Sequence, residues 1–301
     1  MKIAFFHNGN DHFIKPILEA LSENYQTKDV LVSDLQEMFN EMLETDIAWF
    51  EWCTNAIIQA SHLPRVCKTI VRLHRYEAFT DMPDRVKWDY VDRLVLVSRN
   101  LDDLLKERTG NVQRVYINNG VDLSKIDFRE KHKGHNIAFI GFLNARKNFG
   151  LALQIFKKLV DIDNKYMLYV AGKFQDMLIK EYIDYIVEKL GLSRNVIMCG
   201  WIDGINEWLK DVNYVISTSM HESFGYGIAE AMASGCKPVI HGFVGADKIW
   251  GKDKLFYSVD QAVEMICNDK FDSNEYRKYI QENYNFADKI KEIEKMLKGI
   301  E

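Results

Sequence analysis

Along the chain, short apolar runs alternate with longer segments whose apolar residues recur every three or four positions. KIAFFH (2–7) reads as a buried strand, and FIKPILEALSENY after it has helical spacing. KDVLVS, DIAWFEW, KTIVRLH and RLVLVS, starting at Lys28, Asp46, Lys68 and Arg93, continue the strand series. RVYINNGVD (114–122) closes it in a turn at Asn118-Asn119-Gly120. REKHKGH (129–135) is polar, charged and aperiodic, and reads as a linker. The alternation then restarts: HNIAFIGFL (135–143) as strand, NFGLALQIFKKLVDI as helix, YMLYVAG as strand, MLIKEYIDYIVEKLGL as helix, then NVIMCGW, INEWLKDV and NYVISTS. Strands separated by crossover helices make parallel sheets. The expected fold is therefore α/β, with two doubly wound Rossmann-like domains, residues 1–128 and 129–280. The C-terminal helical segment 281–301 is expected to pack on the outside or back on the first domain. Ligands of such sheets bind beyond the carboxyl ends of the strands, so a cleft between the domains is the expected site.

Composition narrows the classes of function. Of the 301 residues, 47% are hydrophobic and 28% charged, as in ordinary globular proteins. The net charge of -5 argues against a nucleic-acid binder that works by broad phosphate neutralisation. The apolar run in MKIAFFHNGND is too short for the core of a signal peptide, and no run of about 18 apolar residues follows. A cytoplasmic location is expected. RLHRYE (72–77), Arg65, Lys68 and Arg85 are candidates for an anionic acceptor or for peripheral contact at the inner membrane face, although most such charges are simply solvated. Cys53, Cys67, Cys199, Cys236 and Cys267 form no C-x-x-C pair and read as small buried hydrophobes in a reducing compartment. No cysteines or histidines have zinc-ligand spacing.

The chemistry concentrates in TSMHESFGYGIAEAMASGCKPVI (218–240), where Glu222 and Glu230 flank a glycine-punctuated aromatic segment. GIAEAMAS reads as a helix that Gly235 stops, which puts Glu222 on the preceding loop and Glu230 early in the helix. The amides of Gly225, Tyr226 and Gly227 then sit at the positive end of the helix, a place for an anion. A carboxylate accepts two hydroxyl donors at once, which suits a vicinal diol. Two carboxylates flanking an amide-rich helix start match a ligand with hydroxyls at both ends and phosphate between, the layout of a sugar nucleotide. The plainer reading makes Glu222 a cap and Glu230 a surface residue.

This stretch resembles the donor-binding signature of the retaining glycosyltransferases of family four, which have the GT-B fold. FIGFLNARKNFGLALQIF (139–156) is similar to the family's phosphate-binding strand, loop and helix. VAG (170–172), GWIDGINEWLKDVNYVIS (200–217) and INNGVDL (117–123) resemble further family segments. The resemblance is dense from Asn136 to about Trp250 and thinner before it. It implies two Rossmann-like domains facing a cleft, the first for the acceptor and the second for the donor. It implies that Glu222 holds hydroxyls of the transferred sugar, that Glu230 holds the ribose diol, and that Arg146 and Lys147 neutralise the diphosphate. Ser223, Phe224, Gly225, Tyr226 and Gly227 would place backbone amides on the donor's diphosphate and sugar, Gly9 would admit ligand near the first strand, and His74 would face the reacting sugar. The plainer reading of His74 is a structural histidine after a strand. The family's glycine pair is replaced here by Asn8-Gly9-Asn10.

The implied activity is transfer of a hexose, by default from a UDP-sugar, to a hydroxyl of a glycan, glycolipid or other acceptor, with retention and without metal or other cofactor. Arg99, Trp49 and Trp52 are candidates for the acceptor side, the alternative for the tryptophans being core packing. The rival readings are a binding or scaffolding protein without turnover, and an epimerase or phosphorylase of the same fold. A metal-dependent transferase is a further rival, because DID (161–163) has the D-x-D form, although a turn explains it as well. Neither domain opens with G-x-G-x-x-G, which argues against a dinucleotide oxidoreductase.

Overall fold

The computed structural model describes residues 1–9, 13–268 and 270–300. It divides into two compact units, the first made of Met1–Gly120 and Phe286–Glu301, the second of Val121–Asn285. Among the described residues no helix is long and apolar enough to cross a membrane.

The first unit is built on strands β1 (Lys2–His7), β2 (Gln26–Leu31), β3 (Ile47–Glu51), β4 (Lys68–Leu73), β5 (Arg93–Leu96) and β6 (Arg114–Tyr116). They pair in the order β2-β1-β3-β4-β5-β6, every neighbour parallel. Side chains alternate across the sheet, so each central strand feeds two cores. Ala4, Phe6, Ala48, Phe50, Val71 and Leu73 pack on one face. Ile3, Phe5, Ile47, Trp49 and Ile70 pack on the other, against Ile293, Met296 and Leu297 of the helix Phe286–Lys298. That helix is the expected C-terminal segment, but it begins at Phe286 rather than residue 281.

The second unit repeats the plan with β7 (Asn136–Ile140), β8 (Met167–Ala171), β9 (Val196–Gly200), β10 (Tyr214–Ser217), β11 (Lys237–His241) and β12 (Leu255–Phe256). The order is β12-β11-β10-β7-β8-β9, again all parallel. Chain order reverses between β7 and β10 here, and between β1 and β3 in the first sheet. At such switch points the connections leave in opposite directions and open a crevice beyond the carboxyl ends of the strands.

The boundary falls after Gly120, not after residue 128, because Val121 pairs with Asn285 and Ile126 packs with the helix Ser273–Tyr284 in the second core. The expected linker is likewise structured. Lys131 is buried, and its ammonium donates to the carbonyl of Val212 at 2.8 Å and to that of Leu209.

Candidate active site

The carboxyl end of β7 leads through Gly141 into a short turn, Ala145–Lys147, which carries Arg146 and Lys147. Asn144 caps it, its Oδ1 accepting from the Lys147 amide at 3.1 Å. The end of β10 leads into Thr218, Ser219 and Glu222, and the two loops are tied together. Thr218 Oγ1 donates to the Lys147 and Asn148 carbonyls at 2.9 Å each, and the Met220 amide to the Arg146 carbonyl at 2.9 Å. Into this frame Glu222 sets its carboxylate: Oε2 is 2.8 Å from Arg146 Nη1, while Oε1 takes Lys147 Nζ at 2.5 Å and Ser219 Oγ at 2.8 Å. Burial alone would raise the Glu222 carboxyl, but the charges of Lys147 and Arg146 outweigh it and hold the group below the usual range. The switch point of the second sheet thus carries one carboxylate and two cations, a net positive pocket. A small cavity lined by Lys147, Ser217, Ser219, Gly225 and Gly227 opens beside them.

The helix Tyr226–Ala233 starts at the same point. Its cap, Gly225, has φ +98°, a conformation that disfavours any side chain, and a Cβ on Gly227 would lie 2.5 Å from Ile140 Cγ2. The glycines therefore set the loop's path and let the helix approach β7. The helix's own ladder opens with Ile228 and Ala229 donating to the Gly225 carbonyl, so the preceding amides stand outside it. Ser223 lies on the loop and is half-buried. The Phe224 ring is buried among Tyr226, Trp250 and Tyr284 and anchors the loop to the core, so what Phe224 can offer a ligand is its backbone. Glu230 has no ion-pair partner among the described residues, and burial pushes its carboxyl up to about 7.

In the first unit the sequence-based candidates separate. Trp49 is wholly buried in the core and donates from Nε1 to Glu51 at 3.2 Å, so it cannot stack on an acceptor. Trp52 is half-buried, with φ +76°, and lies on the His74 ring at 4.0 Å between centroids and 27° between planes. His74 is 2% exposed, its Nε2 2.7 Å from Glu51 Oε1, and burial lowers its basicity despite that carboxylate. Glu51, which the sequence reading passed over, also takes Arg72 Nη1 at 2.9 Å, while the other guanidinium nitrogen reaches Asn119. The only hint in the sequence is an acidic residue closing the apolar run IAWFE. Glu77 accepts from the Cys53 amide at 3.0 Å, and burial pushes its carboxyl up to about 8. Gly9 has φ +95° and donates to His7 Nδ1 at 3.1 Å, so its role is to make the turn; Asn10 lies outside the described residues. Arg99 is exposed, with its guanidinium 5.2 Å above the Tyr116 ring.

The D-x-D pair is engaged elsewhere. Asp161 pairs with Lys157, and Asp163 lies 3.0 Å from His135. Among the described residues no group of three or more His, Cys, Asp or Glu could hold a metal ion.

Residues 122–295, more than half of the chain, match the family described as glycosyl transferases group 1. The chain is 26% identical over 171 residues to an uncharacterized glycosyltransferase of Methanocaldococcus jannaschii, covering 52% of this chain and 43% of that protein. It is 31% identical over 113 residues to the poly(ribitol-phosphate) alpha-N-acetylglucosaminyltransferase of Staphylococcus aureus, covering 37% of this chain and 21% of that one. The matched part thus spans less than half the length of either curated relative. Among solved structures, HepE of Anabaena in complex with UDP and glucose superposes with a TM-score of 0.79 at 14% identity, covering 99% of this chain and 100% of that one. That likeness carries the GT-B fold of two Rossmann-like domains.

Proposed function

The chain belongs to the group 1 glycosyl transferases, and we propose that it moves a hexose from a nucleotide sugar to a hydroxyl acceptor with retention at the anomeric carbon. The observation that carries this reading is the Arg146–Glu222–Lys147 constellation at the second switch point. A departing nucleoside diphosphate gathers negative charge in the transition state, and cations already in place stabilise it without reorganisation. Arg146 and Lys147 meet the diphosphate together with the amides at the start of helix Tyr226–Ala233. Glu222 takes hydroxyls of the transferred sugar, and Glu230 takes the ribose diol. In the first unit His74 takes a sugar hydroxyl, and Arg99 and Trp52 serve the acceptor.

Retention by double displacement needs a free carboxylate nucleophile. Both oxygens of Glu222 are already bound to cations and to Ser219, which favours same-face substitution instead. In that step the bond from the anomeric carbon to the phosphate oxygen breaks and the acceptor oxygen bonds on the same face. The acceptor's proton passes to the leaving phosphate oxygen. The two cations supply the charge stabilisation for which other transferases use a metal, so activity is expected to survive excess chelator.

A UDP-linked hexose is the proposed donor, in line with the UDP and glucose held by HepE. A glycan, glycolipid or other polyol is the proposed acceptor, in line with the poly(ribitol-phosphate) substrate in the Staphylococcus aureus relative's name. A cytoplasmic location with peripheral contact at the membrane face accords with both. The test is donor turnover across a panel of nucleotide sugars, read by mass. Arg146→Ala is expected to lower kcat by about a hundredfold, with a much smaller rise in donor KM. An unchanged kcat would remove Arg146 from the mechanism.

A further inference from the structure

We propose that Glu51 is a positioning residue for this reaction: with Trp52 it fixes the tautomer and ring plane of His74, so that Nδ1 is offered as a hydrogen-bond acceptor to a sugar hydroxyl. The inference rests on the reading of His74 as a sugar contact and adds what makes that contact possible.

The place is the switch point of the first sheet. Glu51 is the last residue of β3, beside β1 where the chain order reverses, and His74 directly follows β4 on its other side. Glu51 is buried; its carboxylate accepts from Trp49 Nε1 and Arg72 Nη1 and lies 2.7 Å from His74 Nε2. A buried ion pair contributes little net stability against well-packed apolar residues, so stability alone does not account for a carboxylate here. What it does provide is direction. Burial alone would raise the Glu51 carboxyl, but the Arg72 charge and the His74 hydrogen bond hold it below the usual range; an ionised carboxylate can only accept, so His74 Nε2 must carry the hydrogen. Burial disfavours the imidazolium, which leaves the neutral ring with its lone pair on Nδ1.

Trp52 fixes the remaining freedom, rotation of the ring. Its φ of +76° is rare for a bulky residue, and its amide donates to the Arg72 carbonyl at 3.0 Å. This turns the indole onto the imidazole, and Phe13 closes the group at 5.5 Å from the Trp52 ring and 5.2 Å from the His74 ring. Backbone strain kept beside an oriented side chain marks a site that the surroundings hold in place.

The test reads the imidazole directly by long-range proton–nitrogen NMR of the full chain, with the His74 signals assigned by their loss in His74→Gln. The wild type is expected to show one neutral tautomer with hydrogen on Nε2, and Glu51→Gln a mixture. In the same Glu51→Gln protein kcat is expected to fall ~tenfold or more, with donor KM within ~twofold, and Glu51→Asp to regain part of the loss. Hydrogen on Nδ1 or a charged ring in the wild type would overturn the inference. So would Glu51→Gln at full speed while His74→Gln is slow, which would leave the His74 reading standing. Full speed in His74→Gln would instead sink that reading and the inference with it. Should Glu51→Gln not fold, the wild-type spectrum and Glu51→Asp decide.

Discussion

Glu222 and Glu230 stand eight positions apart, yet their surroundings push them in opposite directions. Glu222 is paired, and its depressed folded value means that its stabilising contribution is present above the ordinary carboxyl value and lost as pH falls from there through the lowered folded one. Glu230 is largely shielded from solvent without an ion-pair partner among the described residues, so around neutral pH the native state keeps a proton that the unfolded chain has released. The contribution of Glu230 is fully present below the ordinary glutamate value of 4.5 and lost as pH rises through about 7. Two outcomes are expected of Glu230→Gln: higher thermal stability than the wild type at about pH 8, and weaker binding of a nucleotide sugar by calorimetry. In the wild type, donor affinity should rise with pH through about 7, as the carboxylate that grips the ribose diol forms; a flat profile would deny Glu230 that role. Arg146, Lys147 and Glu222 were legible in the sequence because each lies within a dense local motif. Glu51 was not. Its partners Arg72 and His74 lie 21 and 23 positions away and meet it only once β3 and β4 pair.

Elements place these residues, and the glycines show how. Gly225→Ala forces a side chain into φ +98° and is expected to cost about 1–3 kcal/mol, read as a lowered Tm. Gly227→Ala drives a methyl into Ile140 and should cost about as much by overpacking. Both should raise donor KM, because the helix start moves. By contrast, Gly150 lies inside the helix Phe149–Ile162, where an added Cβ would meet nothing closer than 3.7 Å. Gly150→Ala is expected to stabilise by about 0.5–1 kcal/mol and leave turnover unchanged. Strands and long helices were readable from period because buried parallel strands leave continuous apolar runs. The two-residue β12 was too short to leave one. The motif that brings Gly225 and Glu222 to the site uses the neighbouring Phe224 ring as an anchor in the core.

At the scale of the molecule, the first unit is discontinuous. Its final helix, Phe286–Lys298, buries Ile293, Met296 and Leu297 against a sheet formed by residues more than 170 positions earlier. Each such side chain contributes about 1.5–3 kcal/mol, so a chain ending at Asn285 is expected to lose much of the first unit's stability. Limited proteolysis should then cut residues 1–120 well before residues 121–285; equal resistance of the two would show the helix to be dispensable. The two doubly wound sheets were legible, but the boundary at Gly120 was not, since it depends on Val121 meeting Asn285 across the whole second unit. The same arrangement orders events on the ribosome. The second unit is contiguous and can close as soon as it emerges, whereas the sheet begun first must wait, one apolar face uncovered, until the helix Phe286–Lys298 follows it.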